Sequence, residues 1–300
     1  MIEAFNVSKK FDDIQAVDSI SLCIKEGSVF GLIGTNGAGK STFMRILSGV
    51  LKPDSGSIKI DDEDVFENIN AKSKLFFIAD DVFYFNNSTP FDMMKYFSVI
   101  YPKFDKERFV DFLEKFELNG KRKINTFSKG MKKQLSILCG ICSNTEYLLC
   151  DETFDGLDPV MRQAVKSIFA SEMTERKFTP IIASHNLREL EDICDFVGLL
   201  HKGGVILSKD LEEMKTNIHK VQCVFDSLER ERIAFKDINV IKSERRGSLL
   251  TVTARGDVDE IVKNISMQQP IFLEALPLSL EEIFISETEV IGYDIKKLIF

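Results

Sequence analysis

The sequence lacks both a segment that could cross a membrane and an excess of positive charge. No stretch of the 300 residues approaches the ~18 uncharged apolar residues that a membrane helix needs. Residues 1–4 contain Glu3 and no apolar run, so no secretory signal is expected there. The net charge of −8 argues against a nucleic-acid surface, because phosphate binding needs clustered Lys and Arg. Any action on a membrane would require docking to a partner that spans it.

Cysteine is also too scattered to complete a zinc site. Cys139 and Cys142 form a C-x-x-C pair, for which a redox or metal role is one interpretation, but no second pair accompanies them. We favour the alternative that both are small apolar residues on one helix face, in a protein of the reducing cytosol. There is no internal repeat or low-complexity segment, and a hydrophobic content of 44% is typical of globular proteins.

The alternation of strand-like and helix-like segments predicts an α/β domain over residues 1–217. Buried strands are predicted at Ser28–Ile33, Tyr147–Cys150 and Pro180–Ala183. A phenylalanine-rich helical insertion is expected at about residues 83–140.

Residues 218–300 are predicted to form a small α+β accessory domain. The expected order is strand, helix, strand, strand, helix, strand, which suggests a ferredoxin-like split βαβ unit. Ser279 and Glu282 then form a capping-box signature before a last helix.

The strongest motif is a glycine-rich turn between a predicted strand and a predicted helix. Residues 34–41 read Gly-Thr-Asn-Gly-Ala-Gly-Lys-Ser and fit the P-loop pattern G-x-x-x-x-G-K-[ST]. Its glycines let successive N–H groups point at phosphate oxygens, beside the positive end of the following helix. We expect Lys40 to hold the β- and γ-phosphates of ATP and Ser41 to ligate Mg²⁺. The other residues expected at the nucleotide are Gly34, Asn36, Gly37, Ala38, Gly39 and Thr42.

Two carboxylates follow an apolar strand at Asp151 and Glu152. Such a pair is costly to bury unless a cation lies nearby. Beside a P-loop, Asp151 is predicted to hold Mg²⁺ through water, and Glu152 to polarise the attacking water as a general base. An apolar run ending in Asp-Glu is by itself a common strand end, so this interpretation depends on the P-loop.

The next motif resembles the signature sequence of the ATP-binding cassette (ABC) family. Residues 127–132 read Phe-Ser-Lys-Gly-Met-Lys, a variant with Lys in place of the first glycine. In the family, the residues matching Ser128 and Gly130 hold the γ-phosphate that the opposite subunit binds. Without the resemblance, Ser128 would be an ordinary helix cap. The resemblance covers about residues 1–217 and implies a P-loop NTPase fold, the ABC nucleotide-binding domain.

The resemblance assigns roles to three further segments. Gly156-Leu157-Asp158 resembles the D-loop, a subunit-contact element, and His185 resembles the switch histidine that contacts the γ-phosphate. Phe11 resembles the aromatic residue that stacks on adenine. Without the family, Phe11 would be a core residue and His185 a structural histidine.

One position departs from the family pattern. Where the family usually has Gln or Glu as a Mg²⁺ and water ligand, this sequence has Asp80, with Asp81 as the alternative at the same place. Aspartate can bind Mg²⁺, but it is shorter than Glu and carries a charge that Gln lacks.

The resemblance implies a head-to-tail pair of cassettes with two ATP molecules between P-loop and signature faces. The second cassette would be an identical or a different chain, and a separate transmembrane subunit would move the substrate. The signature looks most like bacterial exporter cassettes of the bacitracin-resistance type. We therefore expect a cytoplasmic ATPase, peripheral on the inner face of the membrane, that drives export. Five phenylalanines could form a groove for the membrane partner or belong to the core: Phe83, Phe85, Phe91, Phe97 and Phe104.

Two alternatives compete with the transporter interpretation. A chromosome-type ABC ATPase would separate Lys40 from Ser128 by a long coiled coil, and a translation-factor cassette would carry two P-loops; neither is present. A regulatory cassette without catalysis conflicts with the intact Glu152 and His185, although Asp80 weakens that argument.

Overall fold

The computed structural model describes residues 1–191, 193–211, 217–283 and 285. The chain divides into two compact units, the first spanning Met1–Ser208 and the second starting at Lys209. The domain boundary predicted after residue 217 follows residues 212–216, which lie outside the described residues, and it stays a prediction.

The first unit is built from two sheets. Its strands are β1 (Ile2–Phe11), β2 (Ile14–Ile24), β3 (Phe30–Gly34), β4 (Ser55–Ile60), β5 (Glu63–Asp64), β6 (Leu75–Ile78), β7 (Tyr147–Asp151), β8 (Thr179–Ser184), β9 (Phe196–His201) and β10 (Gly204–Asp210). One sheet is antiparallel with the order β2-β1-β4-β5, and the other has the order β10-β9-β3-β8-β7-β6. In the six-stranded sheet the pairs from β9 through β6 are parallel.

Seven helices accompany these strands among the described residues. They are α1 (Lys40–Leu47), α2 (Ile69–Ser73), α3 (Pro90–Ile100), α4 (Lys106–Lys115), α5 (Lys129–Cys142), α6 (Pro159–Glu175) and α7 (Leu187–Glu191), with a 3₁₀ turn at Ile124–Thr126. The predicted insertion at 83–140 contains α3, α4 and most of α5. No helix in the described part of the chain is long and apolar enough to span a membrane.

Three neighbouring strands of the parallel sheet, β3, β7 and β8, are buried along their whole length. A strand covered on both faces reads as a continuous apolar run, which explains why all three were visible in the sequence. The register pairs Ile33 with Ser184 and Asp151 with Ala183. The carboxyl ends of these strands therefore meet at one edge of the sheet, where ligands of such sheets bind.

One apolar core joins the antiparallel sheet, α1 and the parallel sheet. Phe43 and Leu47 of α1 are fully buried against Ile20 and Ile60 of the antiparallel sheet and Leu149 of β7. Burial of each such side chain contributes about 1.5–3 kcal/mol. The helix that follows the P-loop is thus fixed by packing on its apolar face.

The buried cysteines of α5 behave as apolar side chains. Cys139 and Cys142 are both completely buried. Burial raises the pKa of both thiols above the usual range, which disfavours the reactive thiolate.

In its described part, the second unit contains a four-stranded antiparallel sheet and two helices between its strands. Its elements are β11 (Ile218–Val224), α8 (Leu228–Ala234), β12 (Asn239–Arg246), β13 (Leu249–Arg255), α9 (Val258–Ser266) and β14 (Phe272–Leu276). The strand order β12-β13-β11-β14 is that of a split βαβ unit. Its core contains Val221, Val252 and Ile261.

A reciprocal cap follows β14. The Ser279 hydroxyl accepts a hydrogen bond from the Glu282 amide, and the Glu282 carboxylate accepts one from the Ser279 amide. The remainder of the predicted last helix, residue 284 and residues 286–300, lies outside the described residues.

A buried ion-pair cluster fastens α4 to α6. Glu172 of α6 is only 1% exposed and forms an ion pair with Arg108 of α4. Its second oxygen lies 2.5 Å from Nε of Arg176, and Nη1 of the same arginine donates to the Thr145 carbonyl. One buried carboxylate thus holds the helical insertion to the parallel-sheet layer.

We expect Glu172→Ala to lower the free energy of unfolding of the first unit by about 3 kcal/mol, because two arginines lose their buried partner. Urea denaturation followed by circular dichroism measures this change. The control is Asp111→Ala, which removes an exposed ion pair with Lys115 and should cost no more than about 0.5 kcal/mol. Equal effects of the two substitutions would contradict the role given to the cluster.

Candidate functional site

The P-loop leaves β3 and curls around the amino end of α1. Gly37 and Gly39 have φ of +79° and +100°, a region that favours glycine. A Cβ on Gly39 would lie 2.2 Å from the Ala16 carbonyl oxygen, whereas a Cβ on Gly37 would meet no atom within 4 Å. Gly39 is therefore required by a close backbone approach, and Gly37 borders open space.

Lys40 is buried at the base of this loop. Its Nζ donates to the carbonyl oxygens of Gly34 at 2.9 Å and Thr35 at 3.3 Å. The same nitrogen lies 3.2 Å from Oε1 of Glu152. The loop carbonyls and a carboxylate together compensate an ammonium group that is 5% exposed.

Ser41 and Asp151 meet where α1 faces the end of β7. The Ser41 hydroxyl donates to Oδ1 of Asp151 at 3.1 Å. Burial raises the pKa of Asp151, and the hydrogen bond from Ser41 opposes that shift. Carboxylate and hydroxyl oxygens are ligands that suit Mg²⁺, and a cation there would relieve the cost of burying Asp151.

Glu152 lies between a cation and a histidine. Its Oε2 is 2.8 Å from Nδ1 of His185, and its Oε1 faces Lys40. Its backbone has φ of +48°, unusual for a residue other than glycine, and its N–H donates to the Ala183 carbonyl at 2.9 Å. The end of β7 thus turns the Glu152 carboxylate towards the P-loop.

Asp80 and Asp81, the two alternatives for the Mg²⁺ and water ligand, face different pockets. Asp80 lines the same cavity as Lys40 and Ser41, whereas Asp81 lines a different, more apolar pocket beside Phe83. The geometry therefore favours Asp80 as the residue that faces the nucleotide.

The predicted residues 36–42, Asp80, Glu152 and His185 surround one cavity of about 420 Å³, whereas Gly34 and Asp151 are not among its lining residues. The lining residues are Ile14, Gln15, Ala16, Asn36, Gly37, Ala38, Gly39, Lys40, Ser41, Thr42, Asp80, Glu152, Asp155 and His185. A larger cavity of about 670 Å³ beside α6 is lined by none of the predicted site residues.

Sequence reasoning missed four of the lining residues. Three of them, Ile14, Gln15 and Ala16, follow the turn after Phe11 and carry no chemical signal. Phe11 itself is half exposed and pairs with Ile14 in the β1–β2 ladder, and it is not among the lining residues. Asp155, the fourth, could have been noticed as a carboxylate between Glu152 and the D-loop.

The predicted signature and D-loop residues do not line this cavity. Ser128 caps α5 by accepting from the Met131 amide, and Asp158 caps α6 by accepting from the Met161 amide. A Cβ on Gly130 would lie 3.0 Å from the Gly156 carbonyl oxygen, so the signature and the D-loop are packed together.

These features define the site of a P-loop ATPase. A glycine-rich loop precedes a helix, and a buried Ser–Asp pair and a Glu–His pair lie at the carboxyl ends of parallel strands. The fold adds a helical insertion and an antiparallel sheet.

The ABC transporter family matches residues 17–155. The ABC transporter ATP-binding protein YtrB of Bacillus subtilis is 30% identical over 96% of this chain and 98% of its own length. The bacitracin transport ATP-binding protein BcrA of Enterococcus faecalis is 30% identical over 71% of this chain and 70% of its own.

A solved ATP-binding subunit of an ABC transporter superimposes with a TM-score of 0.67 at 23% identity, covering 72% of this chain and 92% of that one. This likeness shows the same fold. The chain belongs to the ABC transporter ATP-binding proteins. It is an ATP-binding and ATP-hydrolysing subunit, which confirms the predicted family, fold class and activity.

We expect Gly39→Ala to weaken ATP binding by about ten-fold or more, because the added methyl group collides with the Ala16 carbonyl and displaces the loop. Isothermal titration with ATP measures the loss. Gly27→Ala is the control, since Gly27 also has positive φ, +69°, but a Cβ there meets nothing within 4 Å. Unchanged ATP affinity in Gly39→Ala would show that the close approach does not matter.

Proposed function

We propose that this chain is the motor of a bacterial ABC exporter and that Glu152 is the general base of its ATP hydrolysis. The role of Glu152 as the base rests on the position of its carboxylate. One oxygen lies 3.2 Å from Nζ of Lys40, and the other lies 2.8 Å from Nδ1 of His185. A carboxylate held in this way at the phosphate cavity can accept a proton from water.

The chain's own residues perform the remaining tasks. Lys40 and the N–H groups of the P-loop bind the phosphates, and His185 orients Glu152 while facing the terminal phosphate. Ser41, Asp151 and Asp80 are the residues proposed to hold Mg²⁺, directly or through water. A cation held by these residues would neutralise phosphate charge. The donor set of one hydroxyl and two carboxylates fits a cation that takes its other ligands from phosphates and water.

The active unit is proposed to be a head-to-tail pair of cassettes. Ser128 and Gly130 lie at the start of α5 and do not line the cavity beside the P-loop, so each nucleotide would need the signature of a second cassette, identical or different. ATP between the two faces binds the closed pair more tightly than the open pair. This difference in binding free energy is what can drive a conformational change.

The membrane partner is proposed to dock on aromatic residues that precede α3. Phe83 is 79% exposed and contacts Phe85, which in turn contacts Tyr96 of α3. Of the other phenylalanines considered, Phe104 is buried, and Phe91 and Phe97 are half-buried. A cytoplasmic helix of a transmembrane subunit suits this apolar surface, and the chain would then lie on the inner face of the membrane. The relation to BcrA, a bacitracin transport protein, supports export.

We expect Glu152→Gln to keep ATP binding, lower kcat by about 100-fold or more and trap the pair of cassettes, because the amide cannot accept the proton. Phosphate release and size-exclusion chromatography with ATP measure the two effects. Glu114→Gln, an exposed substitution on α4, serves as the control. Turnover of Glu152→Gln at the wild-type rate would refute the proposed base.

We expect Phe83→Ser to reduce recovery of the membrane partner by about ten-fold without changing the ATPase activity of the isolated chain. The measurement is a tagged pull-down from detergent-solubilised native membranes with mass spectrometry. Phe5→Ser removes an exposed phenylalanine from β1 and should leave recovery unchanged. Recovery of the wild-type chain with ribosomes, DNA or no partner would keep the ATPase assignment and remove transport.

A further inference from the structure

A lysine of α5 is buried beside the catalytic cavity and has no role in the mechanism above. Lys133 is 1% exposed and lies five residues after the α5 cap, Ser128. A buried ammonium group is costly unless its N–H donors are satisfied and its charge is matched. The hydrogen-bond and ion-pair partners of Lys133 therefore indicate its role.

The first partner is Asp80. Nζ of Lys133 lies 3.2 Å from Oδ1 of Asp80, in the loop after β6. Asp80 is the position where the family usually has Gln or Glu. The lysine supplies a positive charge that matches this carboxylate.

The second partner is the backbone of Glu152. Nζ of Lys133 donates to the Glu152 carbonyl oxygen at 2.5 Å. The Glu152 N–H is held by the Ala183 carbonyl of β8, so both backbone groups of this residue are fixed by hydrogen bonds. A non-glycine residue keeps a φ of +48° only where its surroundings hold it there.

We propose that Lys133 is a positioning residue for ATP hydrolysis. It holds the Glu152 backbone in the left-handed conformation that aims the carboxylate at the P-loop, and it neutralises Asp80. One cation thereby joins the loop after β6, the loop after β7 and the signature helix. This proposal rests on the proposed role of Glu152 as the base.

The decisive comparison uses two double variants that share Asp80→Asn, so that neither leaves an unmatched charge. Lys133→Gln with Asp80→Asn keeps an N–H donor for the Glu152 carbonyl, and Lys133→Met with Asp80→Asn removes it. We expect kcat of the methionine variant to be about ten-fold or more below that of the glutamine variant, with KM for ATP equal within about three-fold. Equal kcat values would overturn the proposal.

A second measurement uses the chain without nucleotide. Hydrogen–deuterium exchange of the segment 150–155 should be faster in the methionine variant than in the glutamine variant, because the Glu152 backbone has lost one of its two anchors. Matching exchange in both would count against the proposal even if the activities differ. The control segment is 218–224, which belongs to the second unit and should exchange equally in both.

The two proposals fail separately. If Glu152→Gln turned over normally while the exchange difference persisted, Lys133 would still anchor this backbone, but the anchor would have no catalytic purpose. If Glu152→Gln were inactive while the two double variants behaved alike, the base would stand and the positioning role of Lys133 would be lost.

Discussion

The structure of the cassette depends on matching the buried charges that lie at the carboxyl ends of the parallel strands. Lys40, Asp151 and Lys133 are all 5% exposed or less, and a charge withdrawn from water must be matched by nearby partners. Those partners come from the P-loop, from the ends of β6 and β7 and from α1. The shared register of β3, β7 and β8 aligns the ends of these strands. This alignment brings the partner segments together at the site.

The parts of the site that the sequence predicted are those encoded by short contiguous motifs. Residues 34–41 contain, within eight positions, both the glycines that shape the phosphate-binding loop and the side chains that are proposed to bind phosphate and Mg²⁺. Asp151 and Glu152 can be recognised by the apolar strand before them. In the second unit, the predicted order strand, helix, strand, strand, helix, strand is the order of β11, α8, β12, β13, α9 and β14. Local patterns of this kind survive folding because neighbouring residues determine them.

The features that the sequence did not predict are contacts between segments distant in the chain. Nothing about Lys133 distinguishes it from the exposed lysine that precedes Gly130, because its burial results from packing of α5 against β6. The choice between Asp80 and Asp81 likewise required the direction in which each side chain leaves the loop. Ile14 and Ala16 border the cavity through the fold of the β1–β2 hairpin, and their chemistry gives no hint of it.

The ion pair between Asp80 and Lys133 has a consequence for how this sequence could have arisen. Replacing Asp80 alone by the uncharged Gln would remove the countercharge of a buried ammonium group, whereas replacing Lys133 alone would leave a carboxylate without its partner beside the phosphates. A change from this charged pair to an uncharged pair, made one residue at a time, therefore passes through an unfavourable intermediate sequence. A substitution at one of the two positions should therefore be tolerated better when the other position changes with it.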